Sequence, residues 1–295
     1  MIKIKRLSEC TFNDALRAWN LGFEGYFVDL SMTMERFIGR LVSEGFSPEF
    51  SIVAFDDDKP VGIINTGFRV IKGRKTGWNG GTGVAPDYRN QGVGKKMMEH
   101  LLSIFEEQHV DVATLEAIKE NKYAIKLYER MGYTIVDEVT NFSLNGPHSG
   151  HVFNVNGEAY SISKTIPQAA GQLDFYKAEH TWQTHWRSVV NGEAVIVKDE
   201  KNESVGYAYF RRGFDEDFNH AATVLYQCEA EPNHTEARAI TNLLLSCVFD
   251  DLSSDIKRVI VNVPKEGSKL TYNVLLENGF QADTVQVAME KVMNR

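Results

Sequence analysis

One stretch constrains this chain more than any other: Val84-Ala85-Pro86-Asp87-Tyr88-Arg89-Asn90-Gln91-Gly92-Val93-Gly94-Lys95-Lys96. Gly77 to Val84 ahead of it reads as a glycine-weakened strand, and Pro86, with no N–H to offer a ladder, ends that strand. Behind it, Met97, Leu101, Ile104 and Phe105 recur at helical spacing, the apolar stripe of an amphipathic helix over 92–108. Glycines between a strand and a helix let backbone N–H groups approach a ligand with no Cβ in the way. The first turn of the helix adds unpaired N–H groups and the positive end of its dipole. Such a turn is an anion site of the kind that holds a pyrophosphate. It is neither a P-loop nor a dinucleotide fingerprint, because both of those glycine patterns are absent.

Composition narrows the rest. The chain has 295 residues, enough for two ordinary domains, and a soluble balance of 43% hydrophobic to 24% charged residues. Its formal charge of −8, with no basic run, argues against nucleic acid as a partner, since that affinity rests on neutralised phosphates. No stretch approaches the roughly 18 apolar residues of a membrane span, and the alternating Met1–Leu7 lacks a signal-peptide core. Cys10, Cys228 and Cys247 are odd in number and far apart, implying neither a disulfide framework nor a metal site. A reducing cytoplasm is the expected location.

Along the chain, the opening strand Ile2–Leu7 is followed by a helix from Phe12 to about Gly22, capped by Thr11. An aromatic loop then leads to a helix from Thr33 to about Ser43. A hairpin joins Ser51–Phe55 to Val61–Val70 across Asp56–Pro60. The strand ending at Val84, the helix 92–108 and the strand Val112–Ala117 come next. Asn121 as N-cap and Gly132 as C′ residue frame a further helix, and Thr134–Val139 is a strand.

The run Val-x-Pro-x-x-Arg-x-x-Gly-x-Gly resembles the acyl-CoA pyrophosphate loop of the GCN5-related N-acetyltransferase (GNAT) superfamily. A second motif follows in the family's order: Asn121-x-x-Ala124-x-x-Leu127-Tyr128-Glu129-x-x-Gly132-Tyr133. The resemblance covers roughly residues 1–145 and implies an α/β (α+β) fold, a mixed, mostly antiparallel sheet flanked by helices. It also implies acetyl-CoA as cofactor. Gly83, Val84 and Ala85 would bind pantetheine and polarise the thioester; Arg89, Asn90, Gln91, Gly92, Val93, Gly94 and Lys95 would hold the pyrophosphate. Asn121 and Tyr128 would line the cofactor on one helix face, with Tyr128 protonating the departing thiolate. The acceptor implied is the primary amine of a small molecule or peptide, lined by the first helix pair; Glu24, Tyr26 and Asp29 are candidate contacts there. The strand Gly77–Val84 carries no acid for a general base, which leaves Glu116 and Glu24 as substitutes. A non-catalytic acyl-CoA-binding module is the alternative, disfavoured by the retained Tyr128. A homodimer is a candidate assembly.

From Asn141 the sequence turns loop-like, so the expected division is a GNAT domain over 1–145, a linker over 146–159 and a second domain over 160–295. The second half repeats the order of the first: strand Tyr160–Thr165, helices 168–179 and 181–191, a hairpin of Ala194–Lys198 with Val205–Arg211, strand Ala221–Glu229, helix Thr235–Asp250, strand Val259–Val263, helix Ser268–Asn278 and a last strand. Pro232 falls at Pro86, and Leu275 at Tyr128. Thr235, Arg238 and Ile240 stand for Arg89, Gly92 and Gly94, and Ser268 for Asn121. The second half is therefore read as a tandem, degenerate repeat that has lost the cofactor site.

Overall fold

The computed structural model of the chain describes residues 1–148, 153, 160–250 and 252–293. Contacts divide the chain into two compact units, Met1–Val136 with Val287–Arg295, and Asp137–Gln286. This division differs from 1–145 and 160–295. The end of the chain contributes Val287, Met289 and Met293 to the buried core of the first unit, while Phe142 and Leu144 belong to the core of the second. Burial of these apolar side chains favours that exchange over a cut at the loop. Of the expected linker, only Gly146, Pro147, His148 and Phe153 are among the described residues.

In the first unit the strands are β1 (Ile2–Arg6), β2 (Ile52–Asp56), β3 (Lys59–Ile71), β4 (Arg74–Val84) and β5 (Val112–Ile118). They lie in that order, all antiparallel except the parallel pair β4–β5. The helices are α1 (Phe12–Gly22), α2 (Met34–Glu44), α3 (Val93–Glu107) and α4 (Lys122–Arg130). Thr11 caps α1, accepting from Asp14 N–H, and Gly45 ends α2 in the left-handed region at φ 66°. Met97, Leu101, Ile104 and Phe105 of α3 are buried against Ile52, Val61, Ala113 and Leu115, as the apolar stripe requires.

Two departures from regular pairing shape this unit. β4 and β5 pair from Thr76–Val112 to Asn79–Leu115 and then part, which opens a gap between Gly80–Val84 and Glu116–Ile118. Against β3, β4 carries a bulge: Thr66 faces Asn79, but Ile64 faces Thr82. Glycines permit it. A Cβ at Gly80 would lie 2.2 Å from Phe46, and Gly81 sits at φ 148°.

In the second unit the strands are β7 (Ser161–Thr165), β8 (Glu193–Lys198), β9 (Ser204–Phe214), β10 (His220–Ala230) and β11 (Lys257–Pro264). Next to β11 lies β6 (Thr134–Asn145), whose residues from Asp137 on belong here, as do the first six of β12 (Gln281–Val292). β10 and β11 pair in parallel, from Ala222–Lys257 to Leu225–Ile260, and part at the point where β4 and β5 do. The helices are α5 (Pro167–Ala170), α6 (Ala237–Phe249) and α7 (Lys269–Glu277).

The helices expected over 168–179 and 181–191 do not form. Only α5 and two single 3-10 turns, Trp182–Thr184 and Trp186–Ser188, stand there. Buried side chains compete for the backbone. Tyr207 Oη accepts from Lys177 N–H at 3.0 Å and Tyr176 Oη from Trp186 N–H at 3.0 Å, while Tyr209 and Gln227 both donate to Thr184 O. Peptide groups held this way cannot enter a helical ladder. No helix among the described residues is long and apolar enough to cross a membrane.

Candidate active site

The loop between β4 and α3 opens the helix with backbone N–H groups rather than with a side-chain cap. Asn90 at φ 61° and Gly92 at φ 81° and ψ 0° turn the chain into α3, with Gly92 as N-cap. Lys96 N–H is the first to bond back within the helix, to Gly92 O at 3.0 Å, so the N–H groups of Val93, Gly94 and Lys95 find no backbone partner among the described residues. No side chain caps this end and no acid stands in its first turn. The two glycines have different reasons. Gly92 is required by its left-handed φ, and a Cβ there would meet nothing within 4 Å. Gly94 has no positive φ, and a Cβ on it would find Leu127 at 3.6 Å and Val84 at 3.7 Å, ordinary contacts. Internal packing therefore does not demand glycine at 94.

Arg89 has another task. Its Nε donates to Val84 O at 2.9 Å, and its Nη2 donates to Gly22 O at 3.2 Å and Glu24 O at 2.6 Å. The guanidinium thus fastens the loop to the end of β4 and the end of α1. Its own N–H goes to Pro86 O at 3.1 Å. Gln91 Nε2 donates back to Asp87 O, Val93 is buried in the core, and Lys95 pairs with Glu99 at 3.6 Å. Lys96 adds a second cation beside the helix start.

The gap beside β4 receives backbone donors by alternation. Ala85 N–H turns to β3, bonding Val61 O at 2.8 Å, so Val84 N–H, one residue back, points to the opposite side, into the gap. Gly83 lets α1 cross closely, because a Cβ there would sit 3.1 Å from Gly22 Cα.

Across the gap stands α4. Asn121 Oδ1 caps it, accepting from Ala124 N–H at 3.1 Å, which leaves its amide hydrogens for the Tyr26 phenol. Tyr128, two turns on, is 7% exposed, and burial pushes its phenol up to about 12, so it holds its proton at neutral pH. Thr82 of β4 hydrogen-bonds that phenol, and Tyr26 lies near enough to raise it further. Tyr26, Asn121, Thr82 and Tyr128 are thus brought together from a loop, two helix positions and a strand. Thr82 is the member that sequence reasoning missed: it has no motif, and only the bulge turns it toward α4.

The carboxylates divide. Ala113, Leu115 and Ala117 of β5 pack toward α3 and α4, so Glu116 lies on the other face, where Trp78 Nε1 donates to it at 2.8 Å. Trp78 itself stacks on Phe46 at 5.1 Å. Glu24 and Asp29 line a cavity of ≈ 750 Å³ with Tyr26, Phe23, Val28 and Asn20. Asp29 accepts from Ser31 N–H at 2.9 Å. Among the described residues no group of three or more His, Cys, Asp or Glu is arranged around a metal position.

In the second unit the corresponding gap is closed by its own side chains. Glu229, three residues before Pro232 as Gly83 is before Pro86, is hydrogen-bonded by Ser268, the N-cap of α7 as Asn121 is of α4. Thr271 Oγ1 adds a bond to Cys228 O at 2.5 Å. Burial raises the Glu229 carboxyl to about 7, against the opposing Ser268 bond and Lys177 charge. Counted from the helix start, Glu236 and Arg238 stand where α3 has Gly92 and Gly94. Arg238 is paired with Glu277. Ile240, expected to block a pyrophosphate, is buried in the core instead, because α6 starts two residues sooner after its proline than α3 does. Leu275 occupies the place of Tyr128 and is fully buried.

A split parallel pair, an open helix start and a buried phenol are the arrangement expected of an acyltransferase. Residues 13–133 match the acetyltransferase (GNAT) family model. The chain is similar to N-alpha-acetyltransferase 30 of Schizosaccharomyces pombe, 28% identical over 119 residues, which span 40% of this chain and 79% of that protein. It is also similar to ribosomal protein bS18-alanine N-acetyltransferase of Escherichia coli (strain K12), 42% identical over 50 residues, or 17% of this chain and 34% of that one. A tandem GNAT protein from the clavulanic acid biosynthesis pathway shares its fold over 98% of both chains, with a TM-score of 0.64 and 14% identity. Residues 13–133 are thus a GNAT domain, and the fold of the whole chain is that of a tandem GNAT protein.

Proposed function

We propose that the first unit transfers an acetyl group from acetyl-CoA to a primary amine, and that the amine is the α-amino group of a peptide. The names of two relatives, an N-alpha-acetyltransferase and an alanine N-acetyltransferase, support that acceptor. The cofactor reading rests on the unpaired N–H groups of Val93, Gly94 and Lys95 behind a glycine start open to solvent. Bound there, acetyl-CoA supplies an activated acetyl thioester. Val84 N–H in the gap donates to the acyl oxygen as negative charge grows on it. Glu116 takes the proton that an ammonium must lose before it attacks. Tyr128 gives its phenolic proton to the sulfur as the C–S bond breaks and the C–N bond forms.

The single observation that carries this reading is Tyr128, a protonated phenol buried across the gap from β4. Thiol release from acetyl-CoA, followed over a panel of peptides and small amines, is expected with peptide α-amines. Tyr128→Phe should slow it by the low end of the roughly 10²–10⁴-fold that acid catalysis contributes, since a thiolate leaves readily. Release with no amine in the panel would refute the transferase reading; release with small amines alone would refute the peptide.

A further inference from the structure

β4 and β5 part just past the Asn79–Leu115 pair, so Glu116 is the first residue of β5 that β4 no longer holds through its backbone. A side chain holds it instead: Trp78 Nε1 donates to Glu116 Oε2 at 2.8 Å. The indole that gives this bond is itself fixed. It is 1% exposed and stacks on Phe46, with ring centroids 5.1 Å and planes 5° apart. Thr66 Oγ1 donates to the Trp78 carbonyl at 2.6 Å. A Cβ at Gly80 would lie 2.6 Å from the indole and 2.2 Å from Phe46, so the stack closes only over a glycine. Arg40 lies over the Phe46 ring at 5.4 Å and the Trp19 ring at 4.7 Å, and its Nη2 donates to Gly80 O at 3.0 Å. Packing alone would be served by a hydrocarbon ring; a buried indole also brings an N–H that needs an acceptor. The second unit lacks both ends of the bond. Its parallel pair ends at Leu225–Ile260, so Val224 stands for Trp78 and Val261 for Glu116. The split pair forms there with neither donor nor acid, so the fold does not depend on this bond.

We propose that Trp78 is a positioning residue for Glu116: its indole N–H fixes the carboxylate, at the point where the strands part, in the orientation in which it takes the acceptor's proton. The inference rests on the transfer reading above and adds a residue to it. A glutamate side chain has several torsions, and a base serves only while its oxygen stays within hydrogen-bond reach of the proton it takes. An N–H given to a carboxylate also favours the charged form, the one able to accept. A carboxylate offers about four lone-pair sites, so a single donor does not exhaust it. Each proton is accounted for. The ammonium's goes to the carboxylate and on to solvent, the freed nitrogen lone pair makes the C–N bond, and the indole keeps its hydrogen throughout. Trp78 touches no reacting atom.

Trp78→Phe removes the N–H and keeps an aromatic ring for Phe46 to stack on. Glu116→Gln removes the base and keeps a carbonyl oxygen to receive the indole, so its effect is not that of an orphaned N–H. With acetyl-CoA and the best amine of the panel, Glu116→Gln is expected to lower kcat by about 10²-fold or more. Trp78→Phe should lower kcat by about tenfold to a hundredfold, the worth of a hydrogen bond to a charged group, with CoA affinity unchanged. Calorimetric titration with CoA counts the folded sites in each preparation, and turnover is taken per folded site. In a Glu116→Gln background, Trp78→Phe should cost nothing further, because the carboxylate it orients is gone. Wild-type turnover in Trp78→Phe beside an impaired Glu116→Gln would overturn the proposal and leave the transfer reading standing. So would an equal further loss in the Glu116→Gln background, or a Trp78→Phe chain that binds no CoA, since either marks a tryptophan that serves the fold alone. Full turnover in Glu116→Gln would remove the base, and this inference with it. Thiol release by wild type with no amine of the panel would instead sink the transfer reading itself.

Discussion

The two helix starts, at Gly92 and at Glu236, are the same structural element facing opposite charges. At α3 a left-handed glycine, no acid in the first turn and two lysines leave a row of N–H donors open. At α6 the N-cap residue is a glutamate, held by Tyr160 Oη at 2.5 Å, and the next side chain but one is an arginine tied to Glu277. The gaps behind them differ likewise. Gly83 and Ala124 in the first unit have no atoms to bridge theirs, whereas Glu229–Ser268 and Thr271–Cys228 O bridge the second. Yet both units keep the same split parallel pair and an apolar core, in the second case through Leu243, Leu244, Val248, Phe249 and Ile260. Both units hold the fold on an apolar pattern, and a handful of side chains sets their gaps apart.

The harshest way to break the comparison is to treat the halves as separable. A fragment of residues 1–145 lacks Val287, Met289 and Met293, all buried in the first unit's core. Each such loss costs about 2–5 kcal/mol, and three together are as large as the whole margin of an ordinary domain. The fragment should be recovered insoluble or unfolded by circular dichroism. A folded, soluble 1–145 would show that the exchange of strands is dispensable.

Next in size is the charge at the helix start. Gly92→Asp strains a left-handed position and places a carboxylate before the unpaired N–H groups, the arrangement α6 already has at Glu236. CoA affinity by calorimetry should fall more than about a hundredfold, from the combined loss of a charge-assisted site and a new repulsion. The fold should persist. In the reverse direction, Glu236→Gly with Arg238→Gly should create no CoA site, because the gap behind stays bridged. Binding by that double variant would mean the helix start alone decides.

The smallest effect sharpens the account of the closed gap. The Glu229 carboxyl is raised from an ordinary 4.5 to about 7, so folding favours its neutral form. Below about pH 4.5 it is neutral folded or unfolded and has no effect. From there to about pH 7 the unfolded chain ionises first, and stability falls; above pH 7 the deficit is constant. It amounts to something on the order of 3 kcal/mol for this buried group, an upper figure. Urea melts of Glu229→Gln against wild type should converge near pH 4.5 and separate toward pH 7, with the variant more stable. A pH-independent difference would place Glu229 in a solvated setting.

Much of this was legible in the sequence where cause and effect are neighbours. Asn121 caps α4 and Gly132, at φ 87°, follows its end, because caps act within a turn of the residue that makes them. Gly92 was legible for the same reason. Arg89 was not: the carbonyls of Gly22 and Glu24 that claim its guanidinium are more than sixty positions away. The segment 168–191 has helical composition, but buried tyrosines of β9 take its peptide groups, and no local window contains them. Thr82 acquires its direction from a bulge, and a bulge is a property of two strands.

The central claim is that one unit holds the cofactor and the other cannot. Isothermal titration of the whole chain with CoA counts the sites directly. One site per chain is predicted, abolished by Gly92→Asp and indifferent to Glu236→Gly with Arg238→Gly. Two equivalent sites, or one that survives Gly92→Asp, would contradict it.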